Sequence, residues 1–505
     1  MRRSFGLILL ALTPTLIGAQ SSPRPDRWQP VREAANRLVV ERGVAAVAVA
    51  VAKDGKIVWE EGFGWANREK LIPATEHAMF SLASISKPIT APGLMLLVDR
   101  GQVDLDRPAN DYLGFGKITG LAGDASGATV RRILAHTSGL PLHYQFFYDN
   151  EATRRRPSMD ETVGRYGILV SAPGETFQYS NLGYGILDDI ISRVSGRTYA
   201  DFMRNEVFLP LGLTRTSIDI APGLEPYVAE RYWRGKPVPF YTFDHPGGSA
   251  VYSSAHDLVR FGMFHLKNKL AEQRAILPAS RIDEMQRPET PAFGSHYSLG
   301  WVVGQDRGHR LVQHSGGMPG VSTILHLYPE ANAVIVVLTN ASAAPFGDVL
   351  SEAAAVILPG YADSLKAERA RPRPTPAPAA FAPPAELVGT WTGTLRTWTR
   401  TLPFELEVRS SGEMQTQIGE AMRPGDDPLL RKQLRALVNM PSYRDGVLSG
   451  RFAGTIPTPD VDWVSHTVAF DLRLVNGVLR GQASAQTGID PLFFSVASYL
   501  ELRKR

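Results

Sequence analysis

Cysteine is absent from all 505 residues. That removes disulfides, thiolate metal sites and a cysteine nucleophile together. A chain without cross-links relies on buried apolar surface, which calls for sizeable domains. The 11 histidines include no His-Glu-x-x-His and no paired ligand spacing, so neither a metal nor a cofactor is expected. No Gly-x-Ser-x-Gly occurs, which argues against the nucleophile elbow of an α/β-hydrolase. Strong charge of one sign is lacking too: 54 Lys and Arg stand against 50 Asp and Glu. Arg154-Arg155-Arg156 is a compact basic run of the kind found in solvated loops, and no nucleic-acid partner is expected.

Long apolar runs are scarce as well. The longest opens the chain, where Arg2 and Arg3 precede Phe5 to Ile17, apolar apart from Thr13-Pro14-Thr15. It falls short of the roughly 20 residues of a membrane span and ends at small residues before Ala19-Gln20. Residues 1–19 therefore read as a signal peptide, and the mature chain as a periplasmic or secreted protein with no membrane span. No cysteine follows the cleavage point, so no lipid anchor is expected there.

What is present is ordinary globular composition, 44% apolar and 21% charged. Trp28, Val31, Ala34, Ala35, Leu38 and Val39 recur at helical spacing over 28–42. A hairpin follows, Val44–Ala52 and Lys56–Gly64 around Asp54-Gly55. Further strand-like runs occur at Val321–Tyr328 and Ala333–Thr339, before a helical stretch at Phe346–Leu358. The middle, about 84–290, reads as helices and loops. This predicts an α+β fold: an antiparallel sheet built from both ends of one domain, flanked by helices, with a helical region inserted. That domain is expected over 25–360. A Pro/Ala-rich linker follows at 361–385, and an all-β barrel or sandwich at 386–505, marked by turns at Ser411-Gly412, Asp445-Gly446 and Asn476-Gly477.

Chemistry centres on Ser84-Ile85-Ser86-Lys87. Positions i and i+3 share a helix face, about 5–6 Å apart at Cβ. The lysine can take the serine proton only if burial or nearby positive charge keeps it from full protonation. The apolar stretch Leu94–Val98 predicts a helix starting at or near Ser84, with Pro88 in its harmless first turn. Alone, the pattern is far more often that of a capping serine with a surface lysine. Two further motifs bear on it: Tyr179-Ser180-Asn181 within Pro173-Gly174-Glu175-Thr176-Phe177-Gln178, and His314-Ser315-Gly316-Gly317 before the strand at 321–328.

With these motifs in order, residues 30–358 resemble the serine β-lactamase and penicillin-binding-protein superfamily, in particular its class C β-lactamase-like branch. Leu134-Ala135-His136-Thr137-Ser138-Gly139-Leu140-Pro141, Gly247-Gly248 with Ser253-Ser254-Ala255-His256-Asp257, and Leu299-Gly300-Trp301 add to the match. The resemblance implies a serine hydrolase with a β-lactamase/transpeptidase-like fold and a small-molecule or peptide substrate. It implies that Ser84 forms an acyl-enzyme, that Lys87 and Tyr179 share the proton work, and that Asn181 bonds Lys87 and the substrate amide. The backbone N–H groups of Ser84 and Gly317 would form the oxyanion hole, with His314, Ser315 and Gly316 lining the substrate site. His136 is expected to shape a loop below it. Tyr148-Asp149-Asn150 is a second Tyr-x-Asn, in a poorer context. His314 departs from the Lys-Thr-Gly of many β-lactamases and DD-peptidases. A histidine is mostly neutral at pH 7, which favours ester or D-amino-acid amide substrates over a true class C β-lactamase or DD-carboxypeptidase. A catalytically inactive binding protein is the alternative from another class. Gly389-Thr390-Trp391 resembles the start of lipocalin-like barrels, and a covering role is expected for that domain.

Overall fold

The computed structural model describes residues 26–151, 154–371, 381–419, 435–487 and 493–505. The expected signal peptide lies outside them, as does 372–380 of the expected linker.

The strand Ala46–Lys53, reading Ala-Val-Ala-Val-Ala-Val-Ala-Lys, explains the layers around it. Alternation along a strand sends Val47, Val49 and Val51 to one face and the alanines to the other. The valines pack with Val31 and Ala35 of the Gln29–Val40 helix and with Val349 and Ala353 of the Gly347–Ile357 helix. The alanines leave shallow relief, against which the Ala255–His265 helix lies close. A Cβ on its Gly262 would stand only 2.5 Å from Val334. The sheet is thus covered by helices on both faces.

Nine strands pair antiparallel in this sheet, in the order Thr290–Ala292, Ser295–Tyr297, Val302–Asp306, His309–Met318, Val321–Tyr328, Ala333–Thr339, Ala46–Lys53, Lys56–Asn67 and Ile72–Pro73. Strands from both ends of the domain meet where Ala46–Lys53 pairs with Ala333–Thr339, as the sequence predicts. Asp54 and Gly55 both take positive φ, 52° and 74°, which a two-residue hairpin turn of the I′ kind requires. The inserted region supplies the Ser86–Asp99 and Asn181–Ser195 helices. No helix among the described residues is long and apolar enough to cross a membrane.

The segment expected as linker begins differently. Residues Tyr361–Ala370 form a helix that buries Tyr361 and Leu365 in the cluster shared with the Gly347–Ile357 helix. Extended chain is therefore excluded for the first ten residues of 361–385, because two apolar side chains anchor them.

The described residues after Leu387 form a barrel-like antiparallel sheet, in the order Ala436–Leu437, Met414–Ile418, Thr401–Val408, Gly389–Arg396, Phe494–Lys504, Val478–Thr487, Thr467–Val475, Val447–Ala453, Asn439–Arg444. Alternating burial along Thr401–Val408 and Met414–Ile418 gives it an inner apolar face. Trp391 is buried there and donates its Nε1–H to Leu387 O at 2.8 Å.

The barrel docks onto the inserted region. Phe494 and Ser495 pair with Gln145 and Tyr144 of the Tyr144–Tyr148 strand. Asp460 accepts from Arg165 at 3.0 Å, from Trp398 at 2.8 Å and from the Tyr166 hydroxyl. Arg480 reaches Glu175 at 3.1 Å, four residues before Tyr179.

Candidate active site

Ser84 sits in a tight turn, Ala83–Ile85, between the Phe80–Ser81 strand and the Ser86–Asp99 helix. Ala83 holds φ of 50°, a left-handed conformation unusual for alanine and the kind of strain that gathers at functional turns. Pro88 falls in the first turn, as predicted. The helix is buried from Ser86 to Leu97, so Lys87 points into the protein and not into solvent.

Lys87 Nζ lies 3.2 Å from Ser84 Oγ, and donates to Asn181 Oδ1 at 2.6 Å and to Gly248 O at 3.0 Å. None of these partners carries charge. Burial alone pushes the Lys87 pKa well below its usual value. The face of Tyr179 lies 4.7 Å from Nζ. Burial pushes the Tyr179 pKa up, opposed by a hydrogen bond with Ser84. The Ser84 hydroxyl thus stands between an amine displaced toward neutrality and a phenol that holds its proton.

Asn181 opens the Asn181–Ser195 helix, and Ser180 caps it. Ser180 Oγ accepts from Gly183 N–H at 3.0 Å and donates to Pro141 O at 2.8 Å, so the middle residue of Tyr179-Ser180-Asn181 is architectural.

His314 lies on His309–Met318. The neighbouring Val302–Asp306 strand pairs only as far as Gln313, so from His314 onward the strand is bonded on one side, to Val321–Tyr328. The edge is therefore local. His314, Gly316 and Met318 face inward, while Ser315 and Gly317 are exposed. His314 Nδ1 lies 2.7 Å from Ser315 O and donates to it, which leaves Nε2 to accept from the Tyr297 hydroxyl at 3.1 Å. Burial first, and then the charge of Lys87, push the His314 pKa down to about 3. A Cβ on Gly316 would meet Leu82 O at 2.0 Å, whereas one on Gly317 would meet nothing within 4 Å. Glycine at 316 is what lets the strand approach the Ser84 turn. Gly317 faces open space.

His136 does more than shape a loop. It is fully buried with φ of 56°. Its carbonyl accepts from Gln178 N–H at 2.7 Å and its Nδ1 from Ser180 N–H at 3.1 Å. Tyr179 is thus gripped on both sides by one residue, whose ring lies 4.3 Å from its own. Tyr297 stands 4.7 Å from the same imidazole. Sequence reasoning missed Tyr297 and the Gly248 carbonyl. Their nearest signals were the adjoining Leu299-Gly300-Trp301 and Gly247-Gly248. Tyr148, from the second Tyr-x-Asn, packs on Tyr241 in an aromatic cluster that also holds Ala83.

Behind the Gly248 carbonyl runs a buried polar chain. Ser249 Oγ lies 3.2 Å from His245 Nε2, His245 Nδ1 2.6 Å from Asp244 Oδ1, and Asp244 Oδ2 2.7 Å from His143 Nε2. Burial opposes ionisation of Asp244, but the attraction of His143 and bonds from both histidines hold its carboxyl well below the usual range. The chain braces the Pro246–Ser249 turn that presents Gly248 to Lys87.

The Beta-lactamase family model matches residues 31–358. Penicillin-binding protein 4* of Bacillus subtilis (strain 168) is 30% identical over 318 residues, spanning 58% of this chain and 67% of that protein. The crystal structure of SurE superposes with a TM-score of 0.62 at 22% identity, over 90% of this chain and 97% of that one. That coverage extends the shared fold into the barrel. A class C beta lactamase from Rhodobacter sphaeroides superposes with a TM-score of 0.55 at 21% identity, over 65% of this chain and 98% of that one. The chain belongs to the beta-lactamase family, whose fold carries serine hydrolases.

Proposed function

We propose that the chain is a serine hydrolase that forms an acyl-enzyme on Ser84 and cleaves an ester or a D-amino-acid amide in preference to a β-lactam. The observation that carries this is Lys87. It is fully buried, has no carboxylate partner among the described residues and lies 3.2 Å from Ser84 Oγ. A lysine displaced toward neutrality can receive the serine proton as Oγ attacks a carbonyl carbon. The oxyanion then falls to the N–H groups of Ser84 and Gly317, and one such donor is worth about 3–4 kcal/mol. Collapse expels the alcohol or amine, which takes a proton from the Lys87–Tyr179 pair. Water, deprotonated by the same pair, releases the acid.

Substrate preference rests on His314. Neutral and bonded to Ser315 O and Tyr297, it offers no fixed cation to a substrate carboxylate, the role a lysine there would serve. The test is a side-by-side rate measurement on nitrocefin, p-nitrophenyl butyrate and D-Ala-p-nitroanilide, with Ser84→Ala as control. The ester or the D-amino-acid amide is expected to turn over faster. Nitrocefin exceeding both tenfold refutes the preference, and no turnover of any by wild-type protein refutes the enzyme. We also infer export through residues 1–19. A secreted product beginning at Gln20 supports this, and a retained product beginning at Met1 refutes it.

A further inference from the structure

We propose that Glu60, His77 and His256 form a binding site for a divalent transition-metal cation, zinc being the best fit to their chemistry. The three come from separate segments: the Lys56–Asn67 strand, the loop after it, and the start of the Ala255–His265 helix. One donor atom from each lies within 4.8 Å of the others. No linear spacing links them, which is why the histidine pattern in the sequence carries no trace of the site.

The donor types and their spacing come close to what a metal needs. Two ligands at the usual zinc bond lengths of about 2.0–2.2 Å, held at a tetrahedral angle, stand roughly 3.3–3.5 Å apart. His256 Nδ1 already lies 2.9 and 3.2 Å from the two Glu60 oxygens, so a few tenths of an ångström opens the bite. Glu60 and His256 alone would be an ordinary surface pair. His77 changes the reading, because its ring centroid stands 4.7 Å from that of His256. Two imidazoles and a carboxylate converging from three segments are a donor set for zinc. Water can fill the fourth position.

The backbone holds these donors in register. Gly62 lets the loop cross the strand so closely that a Cβ there would stand 2.5 Å from Ala74 O and Thr75 Cα. On the other side, His256 N–H donates to Glu76 O at 3.1 Å. The His77 side chain is half exposed at 50% and has room to rotate toward the other two.

The test uses the full chain after chelator treatment and dialysis, titrated with zinc sulfate by calorimetry, and with cobalt(II) followed in the visible. One zinc per chain is expected, with the intense absorption of four-coordinate cobalt. His77→Ala and His256→Ala should each weaken zinc binding at least about tenfold, in line with the loss of one tuned ligand contact. His77 is exposed, so its alanine variant keeps the native melting temperature and separates ligation from folding. Absence of stoichiometric zinc binding overturns the proposal. So does binding that His77→Ala leaves undiminished, which would put the ion elsewhere.

Discussion

Replacing Gly316 by alanine attacks the contact that sets Ser84 against the strand. The new Cβ would meet Leu82 O at 2.0 Å and Thr323 Oγ1 at 2.4 Å. Thr323 Oγ1 itself donates to Leu82 O at 2.9 Å, so strand, threonine and turn form one knot. The nearer obstacle is backbone, two residues before Ser84, and cannot rotate away. Reaching a tolerable contact of about 3.0–3.4 Å means moving the turn by roughly 1 Å or more. Overpacking of this kind costs about 1–3 kcal/mol. For a domain of this size that lowers Tm by roughly 1–2 °C per kcal/mol. A displacement of about 1 Å at a nucleophile costs roughly 100-fold in rate. Gly317→Ala is the control, since nothing lies within 4 Å of its Cβ. It should leave Tm unchanged, which separates overpacking from the mere addition of a methyl group. Calorimetry and the p-nitrophenol burst from p-nitrophenyl butyrate read both quantities. Gly316→Ala with wild-type Tm and wild-type acylation would refute the reasoning.

Lys87→Ala should slow acylation by about 10²–10⁴-fold, the usual loss on removing a positioned base, as measured by burst kinetics. His265 is buried against Phe261 and Trp301, and burial holds its pKa down at about 3. It folds neutral, and when unfolded it takes up a proton below about 6.5. Between those values unfolding gains a proton, so stability is full above pH 6.5 and falls as pH drops, by up to about 1.4 kcal/mol per pH unit for this group. Urea titrations from pH 4 to 7 should therefore show a shallower decline for His265→Leu than for wild type. Asp244→Asn breaks a buried pair bonded on both oxygens and should cost about 3–5 kcal/mol and slow acylation, whereas Ser249→Ala should cost only about 0.5–1.5 kcal/mol in chemical denaturation.

The elements legible in the sequence are those with local causes. The runs Val321–Tyr328 and Ala333–Thr339 are strands over the same bounds, and Phe346–Leu358 is the helix Gly347–Ile357. Continuous apolar stretches bounded by turn residues leave little choice. Ser84 and Lys87 share a face because their spacing dictates it, and Asn181 meets Lys87 as the resemblance implies. What was not legible depends on contacts between distant segments. His136 was read as a loop residue, yet its left-handed backbone turns both its carbonyl and its ring toward the residues flanking Tyr179. Gly248 acts through a carbonyl, which no side-chain motif records. The helix over Tyr361–Ala370 was hidden by the prolines that follow it, and two side chains, Tyr361 and Leu365, hold it in place.

Peptide-resolved mass spectrometry after fluorophosphonate labelling tests whether Ser84 is the nucleophile and Lys87 its base. A single adduct is expected on Ser84, absent in Ser84→Ala and formed at least about 100-fold more slowly in Lys87→Ala. An adduct on another serine, or labelling of Ser84 at the wild-type rate without Lys87, would contradict it.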